Sequence, residues 1–340
     1  MRGRSRRILD SELTAPTATS THSKTLTYKN VAFCIRRRAG DGNETSVKAP
    51  WFEYHAPRTL DEALTILRDA DFDGRVLAGG QSLMPMLNMR IVSPGVLVDI
   101  NRLPDLDRIE EDEDSLSVGA LVRHADILAS DAIRARWPLL HEATTQVAHP
   151  AIRNRGTVCG SVSHNDPAAE QPSILTTLDG TVLIAGAGGR RELPVDAFLD
   201  GMLSTTLEPG EMVVGLRYRR PPEGTASAFV EFARRLGDFA IAGAGALLTM
   251  RKGVCERARL TILGMGDGPV RAHAVEEMLT GRTLDDRSAP EVFEAAAQTV
   301  RKSVDAAEDV HASSGYRAHL AGVVARRALE TALARAGGGG

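Results

Sequence analysis

The sequence predicts an α+β protein built in two or three lobes. A capped amphipathic helix alternates with short buried strands over 59–100, and strands precede helices over 227–333. The length of 340 residues also exceeds the size at which one hydrophobic core stops growing. With 43% hydrophobic and 25% charged residues and a net charge of -3, the chain is neither disordered, fibrous nor a dedicated binder of nucleic acid. Its best apolar run, 240–250, is short and interrupted by glycine, so no membrane span is expected and the chain reads as soluble.

Residues 1–46 are rich in Thr, Ser and Arg, with no apolar stretch after the basic start. They are read as a dispensable disordered extension, or as the product of a start site placed upstream of the true one, and not as a secretory signal. Ordered sequence is expected from Val47, and Gly337 to Gly340 are expected to form a flexible tail. The three cysteines, Cys34, Cys159 and Cys255, are far apart, which leaves neither a disulfide framework nor a cluster-binding set and points to a reducing cytoplasm.

Element by element, Thr59-Leu60-Asp61-Glu62 is a capping box, and Leu60, Ala63, Leu64 and Leu67 recur at helical spacing. A strand at 76–78 runs into Gly79-Gly80-Gln81-Ser82, one or two helical turns follow over 83–90, and a second buried strand lies at 96–100. The acidic run 110–114 reads as a solvated hairpin turn, since an isolated acidic stretch has no fixed chelating geometry. Helices are expected at 125–129 and 132–148, strands at 181–185 and 211–218, and a Pro-Pro-Gly linker at 219–224. The remainder reads as three antiparallel strands, 227–234, 240–250 and 257–263, then helices at 272–279, 291–304 and 315–333.

Two glycine-bearing loops are the candidate site. In Ala78-Gly79-Gly80-Gln81-Ser82 the missing Cβ atoms let backbone N–H groups converge on an anion, although any tight strand-to-helix turn also prefers glycine. The second stretch, 152–161, has no helical or strand period and joins two arginines, hydroxyl side chains and small residues, including Thr157, Val158, Cys159, Gly160 and Ser161. Two such loops would grip a diphosphate from both sides. Just beyond, Asp166 is read as capping a short helix begun by Pro167, and Glu170 as a ligand-facing acceptor for sugar hydroxyls. Phe239, at the mouth of an apolar strand, is either the first core residue of that strand or an aromatic that leans on a flat ring.

Other chemistries find no support. No Gly-x-Gly-x-x-Gly opens a helix after the first strand, no Walker lysine stands beside Ser82, and no Gly-x-Ser-x-Gly elbow occurs. The nine histidines lack ligand spacing, so a metal centre is not expected.

Six motifs in order, Lys48 to Tyr54, Ala78-Gly79-Gly80-Gln81-Ser82, Leu97-Val98-Asp99-Ile100-Asn101, Ile152 to Thr157, Asp166-Pro167-Ala168-Ala169-Glu170 and Arg235-Leu236-Gly237-Asp238-Phe239-Ala240, resemble the FAD-binding medium subunit of the molybdenum hydroxylases. That family includes the carbon monoxide dehydrogenase flavoprotein and the flavin portion of xanthine dehydrogenase. The resemblance runs from about Val47 to the C-terminus. It implies a two-lobed FAD-binding domain at 47–222, with lobes of about 47–102 and 103–222, and a C-terminal α+β domain at 226–336 with a three-stranded antiparallel sheet and helices. It assigns the FAD pyrophosphate to Ala78 through Ser82 and Thr157 through Ser161, the sugar-alcohol chain to the region of Asp166 and Glu170, and the flavin ring to Phe239. Two departures stand out: Cys159 replaces a glycine of the usual Thr-Ile-Gly-Gly, and Gln81 stands where His is frequent. Neither removes a backbone N–H.

The resemblance further implies that the molybdenum-pterin lies on a large partner and the two-iron clusters on a small one, in a cytoplasmic heterotrimer or its dimer. FAD here would pass electrons from the clusters to an external acceptor. A self-contained FAD-dependent oxidoreductase and a flavin-free assembly module are the alternatives.

Overall fold

The computed structural model describes residues 48–337; residues 1–46, read above as an extension, Val47, where ordered sequence was expected to begin, and three of the four terminal glycines lie outside the described residues. The fourth, Gly337, closes the last helix and is not part of a free tail.

The first lobe carries β1 (Glu53–His55), α1 (Leu60–Ala70), β2 (Gly74–Leu77), α2 (Leu83–Asn88) and β3 (Val96–Asp99). Its three strands run parallel in the order β1-β3-β2. Thr59 caps α1 by accepting the Glu62 N–H, and α1 buries Ala63, Leu64 and Leu67, the stripe that its spacing predicts.

The second lobe begins with β4 (Ile109–Glu111) and β5 (Ser115–Gly119), the hairpin expected around the acidic run. Asp112 closes its turn by accepting the N–H groups of Asp114 and Ser115. Helices α3 (His124–Ala129), α4 (Asp131–Arg136), α5 (Pro138–Gln146), α6 (Pro150–Arg153), α7 (Val158–His164) and α8 (Glu170–Thr177) follow. The single helix expected over 132–148 is two, because Pro138 lacks the N–H to continue a helix and instead starts α5. After them come β6 (Thr181–Gly186), β7 (Gly189–Pro194), α9 (Val195–Phe198) and β8 (Met212–Arg219), giving an antiparallel sheet of order β4-β5-β8-β6-β7. The strand β7, with two arginines and a terminal proline, carries too few apolar residues to stand out in the sequence.

The third part contains β9 (Thr225–Phe232), β10 (Ala242–Arg251), β11 (Val254–Leu263), β12 (Val270–Arg271), α10 (His273–Leu279), α11 (Ala289–Ser303) and α12 (Ser314–Gly337). The expected three-stranded antiparallel sheet has a fourth member, in the order β12-β11-β10-β9. At two residues, β12 is too short to imprint a period of two on the sequence. One face of this sheet, with Ala242, Ala244, Ala246 and Leu248, packs with α10, α11 and α12. The opposite face, with Phe229, Leu247 and Leu263, joins the core of the second lobe.

Helix α8 lies in that junction, and all eight of its residues are buried. Glycines on β10 let it approach: a Cβ on Gly245 would stand 3.0 Å from Thr177 Oγ1 and 3.2 Å from Ile174 Cδ1. Beside it, Asp179 binds three arginines of the C-terminal sheet, Arg257, Arg259 (3.1 Å) and Arg271 (2.6 Å). Glu276 of α10 pairs with Arg271 and Arg259 from the other side. Burial pushes the Asp179 carboxyl up, but the three guanidinium groups outweigh it and hold the group below its usual range.

Candidate functional site

The first glycine loop leaves β2 at Leu77 and enters α2 at Leu83. Gly80 has φ +73, a conformation in which a side chain is strained, so the loop turns there at little cost only with glycine. The Asn101 side chain donates to the Ala78 carbonyl (2.8 Å), and Gln81 Nε2 donates to the Gly79 carbonyl (3.0 Å). The carbonyls are thereby tethered, while none of the N–H groups of Gly79, Gly80, Gln81 and Ser82 is donated to an acceptor among the described residues.

The second stretch is helical where a loop was expected, with α6 at one end and α7 beginning at Val158. Both helices are too short, and α7 too rich in small residues, to show a period. Thr157 caps α7 by accepting the Gly160 N–H (3.0 Å). A Cβ at Gly160 would stand 2.5 Å from Thr157 Oγ1, so glycine is what lets that cap close. The Val158 N–H goes to Val122 and the Ser161 N–H to Thr157, which leaves those of Thr157 and Cys159 without an acceptor among the described residues.

The two stretches touch. A Cβ on Gly79 would collide with the carbonyl of Arg155 and come within 2.8 Å of the Gly156 Cα. Arg123 fastens them, donating to the Arg155 carbonyl (2.6 Å) and to Asn101 Oδ1 (2.6 Å), while Asn101 holds the first loop. Beneath Gly156 lies the buried ring of His124, whose pKa burial and Arg153 press down to about 4, so the ring is neutral at physiological pH. The free N–H groups of both loops therefore lie on adjoining backbone, with Arg123 and the exposed Arg155 supplying positive charge. Such an arrangement suits a diphosphate.

Sequence reasoning missed Arg123 and His124, whose partners are distant in the chain. Asn101 enters the sequence reading only within its motif; its adjacency to a strand ending in Asp99, which accepts the Asn101 N–H (2.9 Å), is the signal the sequence offers.

Cys159 does not project between the loops. Its thiol is buried in the second-lobe core, 3.5 Å from the Gly119 carbonyl and 3.6 Å from that of Val118. Burial raises its pKa far above the usual thiol range, so it stays a neutral SH.

After α7, Asn165 takes a left-handed conformation and donates to Gly201 (2.7 Å) and Ser204 (3.1 Å). Asp166 accepts the Ala168 N–H (2.9 Å) and closes a turn. No helix begins at Pro167: α8 starts at Glu170 with Ala169 as its cap, because the Asp166 turn consumes the residues between. Glu170 is only 9% exposed, enclosed more fully than an open acceptor of sugar hydroxyls. Phe239 is 75% exposed, which removes the core reading of that residue. Its loop is seated next to the second stretch, since Gly237, at φ +85, packs against the His149 ring and the Ala148 carbonyl.

Comparison with known proteins agrees with this geometry. Residues 50–218 match the family described as the FAD binding domain in molybdopterin dehydrogenase, and residues 227–332 match the CO dehydrogenase flavoprotein C-terminal domain. The chain is 40% identical to the 6-hydroxypseudooxynicotine dehydrogenase complex subunit alpha of Paenarthrobacter nicotinovorans, over 85% of this chain and 97% of that one. It is 33% identical to the carbon monoxide dehydrogenase medium chain of Hydrogenophaga pseudoflava, over 84% and 98%. Among solved structures, that of carbon monoxide dehydrogenase from H. pseudoflava superposes with a TM-score of 0.81 at 35% identity, covering 84% of this chain and 99% of the other. Quinoline 2-oxidoreductase from Pseudomonas putida 86 gives 0.80 at 35% identity, covering 85% and 99%.

Proposed function

Since the chain belongs to the family of FAD-binding medium subunits of molybdenum hydroxylases, we propose that it relays electrons from iron-sulfur clusters on a small partner, through FAD, to an external acceptor. In this reading the hydroxylated substrate meets a molybdenum-pterin on a large partner and never touches this chain. The assembly is a cytoplasmic heterotrimer or its dimer. No helix among the described residues is long and apolar enough to cross a membrane, which is compatible with that setting.

The observation that carries the proposal is the pair of touching loops with six unclaimed N–H groups, at Gly79, Gly80, Gln81, Ser82, Thr157 and Cys159. These groups would hold the FAD pyrophosphate. Ala78 would support them through its tethered carbonyl, Val158 through its bond to Val122, and Gly160 and Ser161 through the closed first turn of α7. When bound, FAD supplies the exchange between one-electron and two-electron carriers. The protein's part is orientation and exclusion of water: Arg123 fixes the loop spacing, Asp166 closes the turn on the sugar side with the enclosed Glu170 behind it, and the exposed ring of Phe239 is available to cover the flavin.

The test is the visible spectrum of the purified full chain, with the released cofactor quantified after denaturation. The expected result is one FAD per chain and no iron absorbance. A folded chain that contains no FAD and takes up none on titration would refute the proposal.

A further inference from the structure

Two glutamates, Glu170 and Glu231, stand at the same end of the junction between the second lobe and the C-terminal sheet. Glu231 lies on β9 in register with Gly243 of β10. Paired strand residues share a sheet face, and so do residues two apart on one strand. Glu231 therefore projects to the same side as Gly243 and Gly245, the side on which α8 packs. Helix α8 begins at Glu170, and its entry is pinned to the same end of the sheet, where the Gly264 N–H donates to the Pro167 carbonyl (2.8 Å).

Neither carboxyl has an ion-pair partner among the described residues, and Glu231 Oε2 is buried without any hydrogen bond. The positive charges on this side of the sheet are already paired: Arg257, Arg259 and Arg271 bind Asp179, and the last two also bind Glu276. The turn before α8 brings Asp166, a like charge, and α7 brings His164, whose pKa burial lowers. The residues of β10 and β11 at the same end of the sheet as Glu231, namely Gly243, Gly245, Thr261 and Leu263, carry no charge. On α5, Glu142 is occupied by Arg335 and the Phe229 N–H, and on α12, Arg317 is paired with Asp309. A buried carboxyl and a half-buried one so placed cannot both ionise at modest cost.

We propose that Glu170 and Glu231 hold one exchangeable proton between them in the wall joining the cofactor lobe to the C-terminal domain, and that its occupancy is coupled to the oxidation state of bound FAD. Burial raises both groups above the usual carboxylate range, with Asp166 adding to the effect on Glu170 and Glu170 to that on Glu231, so the pair titrates within reach of neutral pH. Electrons arriving from the iron-sulfur donor make the cofactor more negative. A proton from solvent then forms an O–H bond on a carboxylate oxygen of the pair, and that same bond breaks when the electrons leave for the acceptor. This inference rests on the FAD reading of the site.

The experiment is a potentiometric titration of FAD in the purified full chain from about pH 6 to about pH 9, which brackets the pair's range, beside Glu231→Gln and Glu170→Gln. The wild-type midpoint should fall with pH more steeply, by one proton per two electrons, over a window that both variants lose, with stoichiometric FAD retained in Glu231→Gln, which is not among the cofactor-binding residues. Glutamine matches the neutral form in size, so at least one variant is expected to fold. Redox-difference infrared spectra supply an independent readout: a carboxyl C=O band that changes on reduction, shifts in D2O and is absent in the variants. Equal pH slopes in wild type and variants, or a wild-type difference spectrum without a carboxyl band, would overturn the proposal. A chain that lacks flavin overturns the parent reading instead, and its spectrum shows this before any titration.

Discussion

The Gly79 Cα lies so close to the Arg155 carbonyl that no carbon substituent fits between them. Glycine at this position thus serves the meeting of two loops as well as the turn of one. Gly79→Ala should part the loops, costing about 1 to 3 kcal/mol of stability from overpacking and lowering FAD affinity at least about tenfold, equivalent to ~1.4 kcal/mol. Denaturant midpoints and flavin release on dilution measure the two effects. Unchanged FAD retention would show that the loop contact does not set the site.

Cys159 stands in the first turn of α7, beside the meeting of the two glycine-bearing stretches, and its thiol points into the core. Two outcomes are expected. Site-resolved mass spectrometry should find Cys159 unalkylated in the native chain, since burial keeps it neutral and enclosed. Cys159→Gly should leave FAD affinity within about threefold while lowering stability by about 1 to 2 kcal/mol, through lost packing and a freer helix start.

Asp179 gathers arginines from two strands of the C-terminal sheet. Asp179→Asn leaves Arg259 and Arg271 with Glu276 alone and Arg257 without a carboxylate partner among the described residues. It should destabilise the chain by about 2 to 3 kcal/mol, at or below the roughly 3 to 5 kcal/mol of breaking a fully buried pair, because the carboxylate is partly open to solvent. The expected sign in calorimetry is an earlier transition or a split one, as the C-terminal part loosens first.

Glu170 and Glu231 also set a direction for stability against pH. Their folded-state pKa values lie at about 7 and about 8, above the ordinary 4.5, so the folded chain retains protons that the unfolded chain has lost. The contribution is fully present below the unfolded value and is lost as pH rises through the folded ones. Urea midpoints should therefore decline from weakly acidic to weakly alkaline pH, and Glu231→Gln should flatten the decline. An equal decline in that variant would show that other groups cause it.

The long elements and the presence of both loops were legible in the sequence because each carried a local signature. Thr59 with Glu62 marked α1, alternation and apolar runs marked the strands that became β9, β10 and β11, and the glycines marked the turns. What escaped was either too short to have a period, as with β12 and α6, or depended on residues far apart in the chain. Arg123 meets Arg155 and Asn101 only after three segments have folded together, and Glu231 meets Glu170 only across a lobe junction. The exposure of Phe239 was equally unreadable, since a residue at a strand mouth points inward or outward according to the loop that delivers it.

A wholly buried α8 bears on how the chain is made. During synthesis this helix leaves the ribosome before β10 and β11, the strands that cover its flank, so the nascent chain must hold a helix that is buried in the finished fold uncovered until its C-terminal third arrives. A fragment ending in the Pro221-Pro222 connector would keep that flank bare permanently. The connector is a seam in the sequence but not a line along which the protein can be cut into two self-sufficient pieces.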